Sequence, residues 1–130
     1  MNQNPTIIFV CEHGAAKSII AAAYFNKLAN ETYPGLHVIA RGTHPDQELS
    51  PKTIIGLRED GLTPTESIPQ KLAFSDLEPA QRIITFCELP NEYTQRAVIE
   101  HWDDVPPVSD DYEKARNAII VHLNQLINSK

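Results

Sequence analysis

The stretch Thr6-Ile7-Ile8-Phe9-Val10, followed by Cys11-Glu12-His13-Gly14-Ala15-Ala16-Lys17-Ser18, decides the fold and the chemistry that we expect of this chain. The first segment is a short apolar run with β-branched and aromatic side chains, which is typical of a buried strand. The second segment consists mostly of small residues, and the Ala-rich run Ile19–Phe25 that follows it has the composition of a helix. A strand therefore leads through a short loop into a helix.

This junction predicts an anion site that contains a reactive thiol. The first N–H groups of a helix lack intrahelical partners and the helix dipole is positive at that end, so an anion is favoured there. The same field favours the thiolate form of a cysteine, which makes Cys11 a candidate nucleophile. Lys17 adds a positive charge and Ser18 a hydroxyl group.

Length, charge and cysteine content limit the class of protein. The 130 residues are enough for one core, so we expect a single domain spanning residues 1–130. A formal net charge of −6 argues against nucleic acid as a partner but allows a local anion site. No apolar run approaches the roughly 20 residues of a membrane span, and residues 1–5 lack the pattern of a signal peptide. Two cysteines fit a reducing compartment, so we expect a cytoplasmic protein with no membrane partner.

Hydrophobic patterning predicts strands that alternate with helices. The predicted strands are Thr6–Val10, Leu36–Ala40, Arg82–Phe86 and, with a weaker pattern, Ala97–Ile99. The predicted helices are Ser18–Asn30, a segment from Ser50-Pro51 to Gly61, a short turn at Phe74–Ala80, and a last helix from Ser109-Asp110-Asp111 onward. This alternation predicts an α/β fold with a parallel sheet covered by helices on both faces. Ligands of such sheets bind beyond the carboxyl ends of the strands, where Cys11, Arg41-Gly42-Thr43, Cys87 and His101–Asp104 lie.

Two phosphate-binding patterns can be compared with the loop. A nucleotide-binding loop, G-x4-G-K-[ST], would end at Lys17-Ser18, but Cys11 and Ala16 stand where its glycines let the backbone approach the phosphates. The other pattern is C-x5-R-[ST], with Lys17 in place of the arginine. The cysteine at the start of the loop favours this second pattern.

The second pattern is supported by segments outside the loop, namely Arg41–Pro45, Leu57–Leu62, Ile83–Cys87 and His101-Trp102. On these segments the chain resembles the low-molecular-weight protein tyrosine phosphatase family and its branch of thioredoxin-coupled arsenate reductases, as a divergent member with lysine in place of the loop arginine. The resemblance implies a flavodoxin-like three-layer sandwich with a four-stranded parallel sheet. It also implies that the partner is a phosphorylated substrate or a small oxyanion.

The resemblance further implies a role for each residue of the loop. Cys11 would attack phosphorus or arsenic as a thiolate, and Ser18 would donate a hydrogen bond to its sulfur. The oxyanion would be held by Lys17 and by the backbone N–H groups of Glu12, His13, Gly14, Ala15, Ala16, Lys17 and Ser18. In the phosphatases an aspartate from a late loop protonates the leaving oxygen and then activates water. In the reductases a second thiol, here Cys87, attacks the adduct and forms a disulfide, so a thiol reductant is a further partner.

The sequence departs from the family pattern at three positions. Lys17 is a point charge and cannot clamp two oxygens as the planar arginine fork does. Gly14 stands where the family usually has an asparagine that braces the loop. Pro106 occupies the position of the catalytic aspartate, so Asp103 or Asp104 would have to serve as the acid through a shifted loop.

These observations leave three functions open. Hydrolysis of phosphomonoesters such as phosphotyrosine is slightly preferred to arsenate reduction, because Glu88–Arg96 supplies no second resolving cysteine. A catalytically weak oxyanion-binding or regulatory protein is the third. Simpler roles are a helix cap for Ser18, a solvated loop for Asp103 and Asp104, and a buried structural thiol for Cys87. We expect no cofactor and no metal, since Cys11 and His13 have no second closely spaced pair of ligands to complete a metal site.

Overall fold

The structure, a computed structural model, describes residues 6–29, 35, 37–78, 80–95 and 98–128. The strands are β1 (Thr6–Cys11), β2 (His37–Gly42), β3 (Ala80–Thr85) and β4 (Ile99–His101). The helices are α1 (Lys17–Ala29), α2 (Pro51–Glu59), α3 (Phe74–Leu77), α4 (Asn91–Thr94) and α5 (Tyr112–Asn128). Strands and helices alternate along most of the chain, as predicted.

The strands form one sheet in the order β2-β1-β3-β4, and every pairing is parallel. Successive residues of β1 face opposite sides, because side chains alternate along a strand. Ile7 and Phe9 pack in a core cluster with α1 and α5, whereas Ile8 and Val10 pack in a second cluster with residues of α3 and α4. The predicted three-layer α/β sandwich with a parallel sheet of four strands is therefore confirmed.

The pairing register brings the carboxyl ends of the central strands to one edge. Cys11 at the end of β1 pairs with Gly42 at the end of β2, and Val10 pairs with Thr85 at the end of β3. The segments that follow β2 and β3 therefore start beside the loop after Cys11. This is the edge where the sequence predicted a site.

The predicted starts of α2 and α5 are confirmed. The hydroxyl oxygen of Ser50 accepts a hydrogen bond of 3.3 Å from the Thr53 N–H, and Pro51 is the first residue of α2. Gly61, with a φ of 81°, follows the cap residue Asp60. At α5, a carboxylate oxygen of Asp111 accepts a hydrogen bond of 3.1 Å from the N–H of Lys114.

Other boundaries differ from the prediction. The predicted turn Phe74–Ala80 ends earlier, since α3 stops at Leu77 and Ala80 already begins β3. The last strand is shifted downstream, from Ala97–Ile99 to Ile99–His101. Helix α4 was not predicted, because it is one turn long and buries none of its residues, so it has no apolar periodicity. The predicted end residues Asn30, Leu36 and Ala97 lie outside the described residues.

A polar network ties three helices together on the α1 side of the sheet. The carboxylate of Asp60 accepts hydrogen bonds from Tyr24 (2.5 Å), Tyr112 (2.9 Å) and Arg116 (3.0 Å). Burial works against ionisation of Asp60, but these three donors outweigh it and hold the pKa of the carboxyl below its usual value. Burial and the neighbouring carboxylate raise the pKa of Tyr24 to about 12. The network therefore joins α1 and α5 at the end of α2 through one ionised group.

None of the helices among the described residues has the length and apolar composition needed to cross a membrane.

Candidate active site

A cavity of about 420 Å³ lies at the carboxyl edge of the sheet, beside the loop that connects β1 to α1. Its lining comes from that loop and from the segments that follow β2, β3 and β4. The lining residues are Cys11, Glu12, His13, Ala15, Ala16, Lys17, Asp46, Ser50, Phe86, Cys87, Pro107, Val108 and Ser109. The structure thus brings most of the predicted site residues together in one concave surface.

In the loop between β1 and α1, carbonyl groups point toward residues 43–50 and the N–H groups that follow them point the opposite way. The carbonyl oxygens of Cys11, Glu12, His13 and Ala15 accept hydrogen bonds of 2.7 to 3.3 Å from N–H groups of residues 43–50. In a planar trans peptide the N–H points opposite to the C=O, so the N–H that follows each of these carbonyls is directed away from that segment. Within the described part of the chain, no group accepts a hydrogen bond from the N–H groups of residues 12–18. Such a set of unpaired donors at a helix start is suited to an oxyanion.

A backbone contact between the loop and β2 fixes this shape. Gly14 has a φ of +61°, and a Cβ added to it would lie 3.0 Å from the N of Gly42. A Cβ added to Gly42 would lie 2.6 Å from the N of Gly14. Neither position can carry a side chain without a shift of the other backbone. The loop is therefore braced by direct packing against β2, and this bracing needs no asparagine side chain at position 14.

The thiol of Cys11 is buried and lies next to a hydroxyl group. Its Sγ is 3.1 Å from Oγ of Ser18, which is fully buried in the first turn of α1. Helix α1 starts at Lys17, so Ser18 is inside the helix and is not its N-cap. A hydroxyl at this distance can donate to a thiolate and stabilise its charge.

Lys17 lines the cavity, but its ammonium group is bound elsewhere. Its Nζ donates a hydrogen bond of 2.9 Å to the carbonyl oxygen of Val105. Val105 belongs to residues 103–109, called here the 103–109 loop, which supplies one wall of the cavity. The predicted positive charge is therefore hydrogen-bonded to the loop that forms this wall.

The 103–109 loop is held by three basic side chains from three different helices. The contacts are Lys17 Nζ to Val105 O (2.9 Å), Lys52 Nζ to Ser109 O (2.6 Å) and His122 Nε2 to Asp104 Oδ1 (2.6 Å). Helices α1, α2 and α5 all contribute, so the position of this wall depends on the packing of the helical layer.

The two candidate acids, Asp103 and Asp104, are not among the residues that line the cavity. Asp104 is bound to His122, and this hydrogen bond holds the pKa of the Asp104 carboxyl below its usual value. Asp103 is exposed, with its Oδ1 3.9 Å from Nδ1 of His101. The ring of His122 in turn stacks on the buried Trp102 with 4.6 Å between centroids. The structure therefore does not bring either aspartate to the cysteine.

Two carboxylates and an imidazole lie at the mouth of the cavity. The Nδ1 of His13 is 3.3 Å from Oδ1 of Asp46, and its Nε2 is 4.0 Å from Oε1 of Glu12. All three side chains are more than half exposed. Glu12 and His13 were predicted to contact substrate through their N–H groups, and both residues are among those that line the cavity.

Cys87 also lines the cavity, at the end of β3, and is half-buried. Burial raises the pKa of its thiol, and the hydrogen bond between that thiol and the hydroxyl of Thr85 opposes the shift only in part. The two cysteines of the chain thus share one cavity, and both are free thiols.

Asp46 and Ser50 line the cavity and were missed by the sequence reasoning. Their signal was the position of residues 43–50 after β2, which pairs directly with β1 in a parallel sheet. In contrast, Arg41, expected at the same edge, is paired with Glu66 (3.3 Å) and Asp76 (3.2 Å) and does not line the cavity.

Solved structures from two kinds of enzyme have this fold. A low molecular weight protein tyrosine phosphatase from Streptococcus pyogenes superposes with a TM-score of 0.81 at 14% identity, covering 96% of this chain and 92% of that chain. A thioredoxin-dependent arsenate reductase from Corynebacterium glutamicum has a TM-score of 0.77 at 22% identity, covering 96% of this chain but only 61% of that longer chain. A mutant of YwlE from Bacillus subtilis has a TM-score of 0.83 at 19% identity, covering 96% and 97%. Likeness at these identities establishes the fold alone.

The assignment of the chain to a family rests on a match of its sequence to a family model. The model of the family described as low molecular weight phosphotyrosine protein phosphatase matches residues 6–122, which include the loop, all four strands and most of α5. Since this match spans most of the chain and agrees with the sheet order and the loop after β1, the chain belongs to the low molecular weight phosphotyrosine protein phosphatase family.

Proposed function

We propose that this chain hydrolyses phosphomonoesters, with phosphotyrosine as a candidate substrate, through attack of the Cys11 thiolate on phosphorus. The observation that carries the proposal is the 3.1 Å contact between Sγ of Cys11 and Oγ of Ser18, beside a loop whose N–H groups have no acceptor among the described residues. Family membership and the cavity at the carboxyl edge of the sheet support it.

In this mechanism the loop binds the phosphoryl oxygens through its backbone. The N–H groups of residues 12–18 stabilise the charge on the equatorial oxygens, as donors that are already oriented before the substrate arrives. The sulfur of Cys11 attacks phosphorus while the bond to the leaving oxygen breaks, which gives a thiophosphate intermediate and an alcohol or phenol. Water then attacks phosphorus and releases phosphate and the thiolate. Ser18 donates to the sulfur when it is charged, at the start and at the end of the cycle.

An aryl phosphate assay with matched cysteine variants tests this proposal. We expect Cys11→Ser to lose at least 10³-fold in kcat, in the range seen when a catalytic nucleophile is removed. The matched control is Cys87→Ser, which makes the same chemical change in the same cavity and should retain most of the activity. Activity that survives Cys11→Ser would refute the assignment of the nucleophile.

Arsenate reduction is a second candidate, because Cys87 lines the same cavity as Cys11. In that reaction Cys11 would bind arsenic, and the Cys87 thiolate would attack the Cys11 sulfur. The two thiols would become a disulfide, As(V) would become As(III), and a thiol reductant such as thioredoxin would reduce the disulfide. Hydrolysis is the preferred proposal, because Glu88–Arg96 supplies no second resolving cysteine. Burial also raises the pKa of the Cys87 thiol. Mass spectrometry after arsenate turnover distinguishes the two, since reduction by this route requires a Cys11–Cys87 disulfide and free thiols alone would contradict it.

The third candidate is an oxyanion-binding or regulatory protein without efficient turnover. It is favoured by one observation, the hydrogen bond of Lys17 to Val105, which engages the cation of the loop with a protein carbonyl. Calorimetry with phosphate, sulfate and arsenate tests it. Tight binding without hydrolysis of any aryl phosphate would support this candidate against the first.

A further inference from the structure

We propose that His13 is a catalytic acid that protonates the leaving oxygen. It would have the role that an aspartate of a late loop has in the phosphatases. The inference rests on the proposed hydrolysis by Cys11 and assigns the proton donor that this reaction needs. It also predicts a preference for substrates that carry positive charge next to the phosphate, because two carboxylates flank the imidazole.

The aspartates of the late loop are unsuited to this task in the structure. Neither Asp103 nor Asp104 lines the cavity. Moving Asp104 into it would require loss of the 2.6 Å contact with His122 and a shift of the chain next to Val105, whose carbonyl is held by Lys17. A proton donor that needs no such rearrangement is to be found among the residues that already line the cavity.

Among the described residues of the cavity lining, the titratable side chains are Cys11, Glu12, His13, Lys17, Asp46 and Cys87. The two thiols have the roles discussed above, and Lys17 is bound to the 103–109 loop. Of these side-chain types, imidazole is the most frequent general acid and base in enzymes that work near neutral pH. His13 is thus the best donor that the cavity offers.

Backbone and side-chain contacts together orient the His13 ring. The carbonyl oxygen of His13 accepts a hydrogen bond of 3.0 Å from the N–H of Asp46, and the carboxylate of the same residue lies 3.3 Å from Nδ1. The peptide carbon of His13 also packs against Gly42, since a Cβ on Gly42 would come within 2.9 Å of it. A carboxylate on the Nδ1 side leaves Nε2 for the substrate, because Glu12 is 4.0 Å away and outside hydrogen-bond distance.

In the proposed reaction His13 gives one proton to the leaving group and later regains one from water. The sulfur–phosphorus bond forms as the bond from phosphorus to the leaving oxygen breaks, and the electron pair of that bond goes to the oxygen. The oxygen takes the proton from Nε2 of the imidazolium, so the alcohol leaves neutral and His13 becomes neutral imidazole. In the second step Nε2 accepts a proton from the attacking water, which restores the imidazolium when phosphate and the thiolate are released.

Aryl phosphates with leaving groups of graded acidity test this step. A good leaving group such as p-nitrophenolate departs without a proton, whereas phenolate depends on one. We expect His13→Asn to lower kcat for phenyl phosphate by about 10²-fold or more, the usual size of acid catalysis, and to lower kcat for p-nitrophenyl phosphate by much less.

Matched variants separate a chemical role from a structural one. His44→Asn changes an exposed histidine on the segment beside the same loop, outside the cavity lining, and should behave as wild type on both substrates. An equal loss for both substrates in His13→Asn, or no loss for either, would overturn the inference. The inference would also be wrong if Asp103→Asn or Asp104→Asn showed the leaving-group-dependent loss instead.

The same aryl phosphates show whether the acid assignment or the proposed hydrolysis itself has failed. If wild type hydrolyses p-nitrophenyl phosphate and Cys11→Ser does not, the nucleophile stands whatever His13 does. If wild type hydrolyses none of the aryl phosphates, both the proposed function and the acid are refuted. For the charge preference, Asp46→Asn should raise KM for an aryl phosphate with a cationic ring substituent more than for its neutral analogue, and equal changes would contradict it.

Discussion

Replacement of Gly42 by alanine is the sharpest test of how the loop is held. The new Cβ would lie 2.6 Å from N and 2.8 Å from Cα of Gly14, both backbone atoms. To return the shorter contact to 3.4 Å, where ordinary van der Waals contact begins, the two backbones must separate by about 0.8 Å. Gly42 itself has no positive φ, so the substitution adds no backbone strain of its own. The whole effect should arise from displacement of the loop.

Both stability and activity should respond to this displacement. Overpacking of this kind costs about 1–3 kcal/mol, which equilibrium urea unfolding measures. A misplacement approaching 1 Å costs catalysis about 10²-fold, so we expect a loss of that order in kcat/KM on an aryl phosphate. The mutation touches no side chain of the cavity, which makes the activity loss a readout of loop geometry alone.

Gly61→Ala is the matched control. Unlike Gly42, Gly61 has a positive φ of 81°, and a Cβ there would meet nothing within 4 Å. We expect it to lose about 1 kcal/mol from backbone strain and no activity. If Gly42→Ala remained as active as Gly61→Ala, the close packing of the loop on β2 would not govern the geometry of the site.

Further predictions concern the cation of the loop and the polar network. Lys17→Arg should raise kcat/KM by about tenfold, because a guanidinium has enough donors to bind the Val105 carbonyl and an oxyanion oxygen at the same time. One added charged hydrogen bond contributes about 1.5 kcal/mol. If kcat/KM did not rise, the geometry of the loop would be what limits the rate. Asp60→Asn should lower the free energy of unfolding by about 2–3 kcal/mol at neutral pH, because it removes a largely buried charge that Arg116 and two tyrosines satisfy. The pKa of the Asp60 carboxyl is lower in the folded protein than in the unfolded chain, where it is about 4. The stabilisation by Asp60 is therefore present above about pH 4 and is lost as the pH falls toward the folded-state pKa. The difference in free energy of unfolding between Asp60→Asn and wild type should accordingly shrink in acid. An unchanged difference in urea unfolding between neutral pH and about pH 3 would contradict this account.

The sequence was sufficient for the sheet and for the loop because their signals are local. A buried strand, a cysteine and a run of small residues before a helix lie within Thr6–Phe25, and parallel pairing then brings the ends of the neighbouring strands to the same edge. The core face of α5 also agrees with helical spacing, since Ala115, Ile119 and Leu123 recur every four residues and are fully buried. Periodicity depends on backbone geometry, which is why these predictions were confirmed.

The partners of the charged side chains could not be predicted in the same way. Lys17 donates to a carbonyl 88 residues away, and Asp104 is bound by a histidine from α5. Such contacts depend on side-chain rotamers and on how separate elements pack, and neither leaves a periodic trace in the sequence. The close approach of Gly14 to Gly42 could not be predicted either, because the sequence does not show whether a glycine serves a turn or a close contact with another backbone. The roles of the site residues remain predictions that the variants above test.

The anchoring of the 103–109 loop has a consequence for how the cavity receives a ligand. Each anchor, from Lys17, Lys52 and His122, would have to break before the wall could swing away from the cavity. The cavity is therefore already formed before a ligand binds. Its shape and charge select among ligands in a single binding step, with no slow closure afterwards. In rapid-mixing experiments, association with phosphate should rise linearly with phosphate concentration, with no saturating isomerisation phase.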